Sequence, residues 1–167
     1  MLIAFGGLPG TGKTSISKRL AQRLTAVYLR LDTLETVILN SDPSTGEIGP
    51  TGYFVAYAVA AENLSLGLSV IADSVNGIQI TREAWRNVAN EGNVRFVEIE
   101  IICSDKRKHQ QRIESRTTDI VNLKLPTWLN ILERQYDVWE SKHLVIDTAN
   151  ISIDEAVEKI VQHLNTF

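Results

Sequence analysis

Residues 7 to 15 read Gly7-Leu8-Pro9-Gly10-Thr11-Gly12-Lys13-Thr14-Ser15, and this spacing of glycines, one lysine and adjoining hydroxyls suits one kind of chemistry. Glycines let a loop turn with its amide N–H groups pointing inward, and at a helix N-terminus such groups make a nest for phosphate. Lys13 is spaced to bridge two neighbouring phosphate oxygens, and the Thr14 hydroxyl to ligate Mg²⁺. The apolar run Leu2–Phe5 precedes the loop and an amphipathic run (Ile16, Leu20, Ala21, Leu24) follows it. These are the strand and helix that the pattern Gly-x4-Gly-Lys-Ser/Thr requires. Average residue usage would produce a chance match in roughly one in 200 chains of this length. The expected ligands are ATP and Mg²⁺, held by residues 7 to 15.

A phosphate cradle does not name a reaction, and three classes compete for it. A GTPase would need a guanine-reading Asn-Lys-x-Asp segment near the last strands, where Asp147-Thr148-Ala149-Asn150 stands instead. An oligomeric motor would need an acidic pair after an apolar strand, but Ile71-Ala72-Asp73-Ser74 supplies a single carboxylate. A kinase for a small hydroxylated acceptor fits better. Asp32 follows the second strand directly and Asp73 ends the third, and the carboxyl ends of such strands face the ligand crevice. One carboxylate would take the acceptor's proton while the other holds metal-bound water. Asp32 is the preferred base and Asp73 the preferred metal-side partner, although capping the following helix competes as a role for both.

Arg112 and Arg116 lie four apart on one helix face, just before an irregular segment. Either could enter with a closing lid to neutralise the transferring phosphoryl group, or stack on adenine. On the acceptor side, Tyr53, Phe54 and Tyr57 with Arg30, Asn76 and Arg82 are candidate contacts. Tyr53, Asp73 and Arg82 join Asp32 as the preferred substrate residues.

The elements behind these residues follow from alternating short apolar runs and helical patterns, the mark of βαβ units and a parallel sheet. Strands are expected at Leu2–Phe5, Val27–Leu31, Ser69–Ala72, Arg95–Ile102 and Leu144–Ile146. In the fourth, Glu98 and Glu100 alternate with apolar residues, which predicts a partly wet face near a sheet edge. Helices are expected over 13–24, 32–39, 53–66, 82–90, 105–115, 127–140 and the last stripe from Ile153 to Leu164, which opens with a Ser152/Glu155 capping box. Two turn-rich stretches, 40–52 and 116–126, could fold over a ligand.

With 167 residues, 44% apolar and 22% charged, the chain reads as one ordered domain spanning 1–167. A net charge of −3 and a pI near 5.6 make nucleic acid an unlikely partner. The first residues lack a signal peptide's basic start, and no apolar stretch approaches the roughly 20 residues that cross a bilayer. The expectation is a cytoplasmic protein with no membrane partner. Cys103 stands alone and reads as a buried structural thiol, whereas His109, His143 and His163 lack ligand spacing and read as surface residues.

The P-loop, the Asp after strand two (Leu31-Asp32-Thr33-Leu34) and the paired-arginine helix together resemble the adenylate-kinase-like small-molecule kinases. Pro126-Thr127-Trp128, Arg134-Gln135-Tyr136 and Leu144–Thr148 look like the C-terminal half of the ATP-binding kinases related to chloramphenicol phosphotransferase, gluconate kinase and zeta toxin. That resemblance implies a three-layer α/β P-loop fold with a parallel sheet in the order 2-3-1-4-5. It also implies a lid near 112–126 and Asp32 as base, while a substrate cap near 40–66 is expected from the turn-rich stretch and the helix after it. The acceptor stays open. Two other readings remain, a nucleotide or nucleic-acid-end kinase and a non-catalytic ATP-binding protein.

Overall fold

Five short strands lie side by side, all parallel, in the order β2-β3-β1-β4-β5, which is the order the resemblance implies. The computed structural model describes residues 1–41 and 48–166, so the part of the expected cap at 42–47 lies outside the described residues. The strands are β1 (Leu2–Gly6), β2 (Val27–Arg30), β3 (Val70–Asp73), β4 (Phe96–Ile102) and β5 (Leu144–Asp147). Helices α1 (Lys13–Leu24), α2 (Leu31–Ser41), α3 (Thr51–Ser65) and α4 (Gln79–Glu91) belong to the first half, and α5 (Lys106–Glu114), α6 (Trp128–Leu132) and α7 (Ile153–Asn165) to the second.

Strand β1 is buried along its whole length. An inner parallel strand is covered on both faces, so its sequence is an unbroken apolar run rather than an alternating one. Ile3 and Phe5 join Ile71, Ile99 and Ile101 beneath α1 and α7, where Ile16, Leu20, Val157 and Ile160 complete one core. Leu2 and Ala4 face the other way, with Val70 and Ala72, onto Ala56, Ala60 and Leu64 of α3 and Trp85 and Ala89 of α4. The result is a three-layer sandwich in which each fully buried Leu or Ile contributes about 2 kcal/mol. The expected Ser152/Glu155 capping box opens α7.

Two expectations fail, and they fail together. Strand β4 lies next to the edge strand β5, near an edge as expected, but its acidic face is covered rather than wet. Glu98 is buried and accepts two hydrogen bonds of 3.0 Å from Arg86 and one of 3.0 Å from Ser141 Oγ. Glu100 accepts from Tyr136 Oη at 2.9 Å and from His143 Nε2 at 3.2 Å. The cover is the segment 133–143, which the expected helix 127–140 would have wound away; α6 stops at Leu132.

Arg82 holds this cover down from beneath. It is 2% exposed, contributes nothing to the cleft described below, and so is not the acceptor contact its sequence position suggested. Its guanidinium donates to the carbonyls of Asn76 (3.0 Å), Gly77 (3.1 Å), Asp137 (2.8 Å) and Val138 (3.0 Å). It also lies 4.1 Å from the Trp139 ring centre and 5.4 Å from that of Tyr136. The Asp137 amide donates to the Gly77 carbonyl at 2.7 Å and not to the carbonyl four residues back, so Tyr136 and Trp139 settle onto the sheet instead of a helix stripe.

Replacing Arg82 by Met strands these carbonyls. Arg82→Met is expected to lower the unfolding free energy by about 3 kcal/mol, read from the urea midpoint, and to raise amide exchange first across 134–143.

Candidate active site

The strand order reverses about β1, and at its carboxyl end a cleft of about 860 Å³ opens over the sheet edge. Its floor is the loop between β1 and α1. Gly7 has φ 130°, and a Cβ there would stand 2.1 Å from the Ile101 carbonyl oxygen, so no other residue fits. The Gly7 amide donates to Val75 at 2.9 Å, which ties the loop to the end of β3. Gly12, at φ 104°, begins α1 without any side-chain cap. The first amides of α1 are thus left for an anion.

Two contacts brace this loop from outside, each backed by a further side chain. His109 Nε2 lies 2.7 Å from the Pro9 carbonyl, which can only accept, so that nitrogen carries the proton. Its ring packs edge-on against Trp128. His109 is therefore buried, contrary to the surface position expected for it. The Thr148 hydroxyl lies 2.7 Å from the Thr11 carbonyl and accepts from Arg112 Nη1 at 2.8 Å, while Arg112 Nη2 donates to the Thr148 carbonyl at 3.0 Å. Arg112 stands between the large cleft and a side cavity of about 230 Å³ bounded by Gly12, Ile16, Thr148, Ile151 and Ile153.

Lys13 is 7% exposed, and its ammonium donates to the Leu8 carbonyl at 3.0 Å. Burial pushes its pKa down to about 8 from 10.5, helped by the charges of Arg116 and Arg134 and opposed by Asp73 and Asp32. All four of those groups line the cleft, as do Thr14 and Ser15. Asp32 lies in the first turn of α2 rather than ahead of the helix, with Arg116 Nη2 3.8 Å from its carboxylate. Asp73 is buried at the end of β3 and accepts a 2.6 Å hydrogen bond from the Tyr28 hydroxyl.

The acceptor-side candidates divide. Tyr53 and Arg30 line the cleft, and the Tyr53 hydroxyl accepts from the Asn76 amide at 3.2 Å. Phe54 is exposed, Asn76 is wholly buried, and Tyr57 packs edge-on against Trp85 with ring centres 4.6 Å apart. None of these three lines the cleft. Glu35 does, and was not foreseen, although it lies three residues after Asp32 and so on the same helix face. A Cβ on Gly52 would come within 2.4 Å of its Cγ. Burial, then the Asp32 charge, raises the Glu35 pKa. Thr148, Lys18 and Asp119 were likewise unforeseen, because their roles depend on contacts across more than a hundred residues or across the sheet.

Among the described residues no cluster of three His, Cys, Asp or Glu could hold a metal by itself. Thr14 and the buried Asp73 line the cleft beside Lys13, a sparse set of hard oxygen donors that suits Mg²⁺ carried in with phosphate oxygens and water. No described helix is long and apolar enough to cross a membrane.

A five-stranded parallel sheet in this order, with a glycine-rich loop running into α1, defines the class: a P-loop α/β protein with a kinase-like fold. The chain belongs to the AAA_33 family of AAA domains, whose model matches residues 2–137. Among solved structures it is similar to a protein from Chloroflexus aurantiacus J-10-fl provisionally assigned as a kinase, at 24% identity and TM-score 0.71 over 99% of this chain and 96% of that one. A gluconokinase from Sinorhizobium meliloti 1021 matches at 19% identity and TM-score 0.67 over 98% and 91%. Kti12 from Chaetomium thermophilum, in complex with ADP-AlF3, matches at 19% and 0.73 over 97% and 98%. At these identities the likeness is one of fold. None of the curated proteins matches the sequence.

A phosphate ligand favours the charged form of Lys13, so its pKa rises on binding. Below pH 8 the ammonium is already charged and affinity is flat; above pH 8 binding must take up a proton, and affinity falls as pH rises. Calorimetry of ATP binding near pH 8.5 in buffers of different ionisation enthalpy is expected to show proton uptake that vanishes in Lys13→Met. Equal uptake in both proteins would remove Lys13 from the phosphate site.

Proposed function

We propose that this protein is a kinase that moves the γ-phosphoryl group of MgATP onto a hydroxyl of a small acceptor, with Asp32 as the base. The observation that carries this reading is one cleft lined by the uncapped N-terminus of α1 and Lys13 on one side and by Asp32, Asp73 and Arg116 on the other. Donor phosphates bound at the cradle would take Lys13 away from the Leu8 carbonyl. The side cavity beyond Arg112 is the right kind of place for the purine, a slot with Ile16, Ile151 and Ile153 for the ring face, Ser15, Thr148 and Ser152 for polar contacts, and a planar cation at its border.

Thr14 would ligate the Mg²⁺ and Asp73 would hold its water, the Tyr28 hydrogen bond fixing the carboxylate's orientation. The bound ion supplies charge neutralisation to the phosphates. The acceptor hydroxyl transfers its proton to Asp32 as its oxygen bonds to the γ-phosphorus and the bond to the ADP oxygen breaks. Arg116, on the segment 112–126, would leave its 3.8 Å pairing with Asp32 and turn to the charge on the transferring group. That motion gives the segment a lid's role: it frees the base at the moment the phosphoryl group is covered.

The experiment is transfer of labelled γ-phosphate to a panel of hydroxylated metabolites and antibiotics. Wild type is expected to label at least one compound, and Asp32→Asn to lose about 10²- to 10⁴-fold in turnover while ATP affinity stays within a few-fold. Full turnover in Asp32→Asn would sink the base. ATP binding with no labelled compound would leave a nucleotide-binding protein that is not a kinase.

A further inference from the structure

Arg30 ends β2, two residues before Asp32, and its side chain lines the acceptor side of the cleft although the residue is 8% exposed. Taking a guanidinium out of water is costly unless an anion accompanies it. The anion here is supplied by the chain itself. Asp119, on the segment that borders the cleft, accepts from Arg30 Nη1 at 2.6 Å with one carboxylate oxygen and from Lys18 Nζ at 2.6 Å with the other. Asp119 is itself exposed, whereas the arginine beneath it is buried. Arg30 Nε is buried as well and has no hydrogen-bond partner among the described residues. A guanidinium bonded through one terminal nitrogen, with Nε idle, has not used the planar fork that matches a carboxylate or phosphate edge.

We propose that Arg30 and Lys18 form an anion-recognition site for the acceptor, which Asp119 occupies as an internal substitute while the cleft is empty. The acceptor class is then a hydroxylated anion, bearing a phosphate ester or carboxylate in addition to the hydroxyl that reacts. This rests on the kinase reading and deepens it. The anion docks at the end of β2, and the intervening residue Leu31 separates it from Asp32, so the reacting hydroxyl is held toward the base. Displacing Asp119 releases the segment from both α1 and β2 at one stroke. Acceptor arrival and movement of the residues around Arg116 are thereby coupled through one carboxylate. A purely structural ion pair would need neither the idle Nε nor an exposed acidic partner across a cleft.

The test titrates inorganic phosphate, glycerol 3-phosphate and glycerate, at matched ionic strength, into wild type, Asp119→Asn, Arg30→Gln and the double variant by calorimetry. All are loaded with Mg²⁺ and a non-hydrolysable ATP analogue so that the cradle is filled. Asp119→Asn is expected to bind an organic anion at least about tenfold more tightly than wild type, and Arg30→Gln to erase that gain. A preference for glycerol 3-phosphate assigns a phosphate ester, and one for glycerate a carboxylate. Should Arg30→Gln fail to fold, Arg30→Lys carries the comparison: it keeps the charge, loses the fork, and is expected to bind several-fold more weakly. No Arg30-dependent anion binding in the Asp119→Asn background would overturn the proposal, as would binding of inorganic phosphate alone. The Arg30-dependent part is a difference between variants, so it is read whether or not the analogue binds. Failure of the analogue to bind would count against the nucleotide reading alone.

Discussion

The site depends on the end of β1 passing between its neighbours with no side chain at two consecutive positions. At Gly6 a Cβ would stand 2.5 Å from the Trp139 ring, and at Gly7 it would stand 2.1 Å from the Ile101 carbonyl. These clearances let the chain turn sharply above β4, hold on to Val75 beyond β3, and enter α1 with its first amides free. The cradle is thus wedged between the ends of β3 and β4 rather than draped over them. A rigid nest costs a bound phosphate little ordering, which is the sense in which the sheet prepares the loop. The same wedge explains why Trp139, which does not line the cleft, matters to the loop's position.

Burial of charge follows from that wedge. A loop seated this deep carries Lys13 into a nearly dry place, and the groups that keep a cation there are Asp32 in the first turn of α2 and Asp73 at the end of β3. Each of those carboxylates has its own partner, Arg116 for the first and Tyr28 for the second. Arg30 adds a further buried cation matched by Asp119. The cleft is thus lined by opposite charges that pair across elements, Arg116 with Asp32 and Arg30 with Asp119. Such pairs are weakly stabilising at best, because desolvation offsets most of the Coulomb gain. A cleft built this way favours a ligand that brings its own charges and exchanges partners one for one.

Much of this was legible in the chain. The P-loop, the alternation of strand and helix, the parallel sheet and the carboxylates at the ends of β2 and β3 follow from local pattern: glycine spacing, apolar runs and the 3.6-residue stripe. The segment 133–143 was not legible, because nothing local distinguishes Tyr136 and Trp139 on a helix from the same rings laid over a sheet. Arg82 and the Gly77 carbonyl hold the segment over the sheet from more than fifty residues away. Glu98 and Glu100 were misread for the matching reason. An alternating strand reads as half wet unless one knows that arginine, tyrosine, serine and histidine arrive from elsewhere to receive the acids.

Those two misreadings are one physical fact seen from both sides. A polar sheet face can be buried only if donors are brought to it, and here they are side chains, Arg86 from α4 and Tyr136, Ser141 and His143 from the cover. An extended cover spends side-chain donors on Glu98 and Glu100 and leaves its own carbonyls facing Arg82. Arg82 then satisfies the cover from beneath while Trp139 fills the space that Gly6 leaves empty. The acids on β4, the missing helix, the buried arginine and the bare glycine beside the P-loop therefore form one solution. Changing any of them should be felt at the phosphate cradle, since Gly6 and Gly7 are adjacent and share the same clearance.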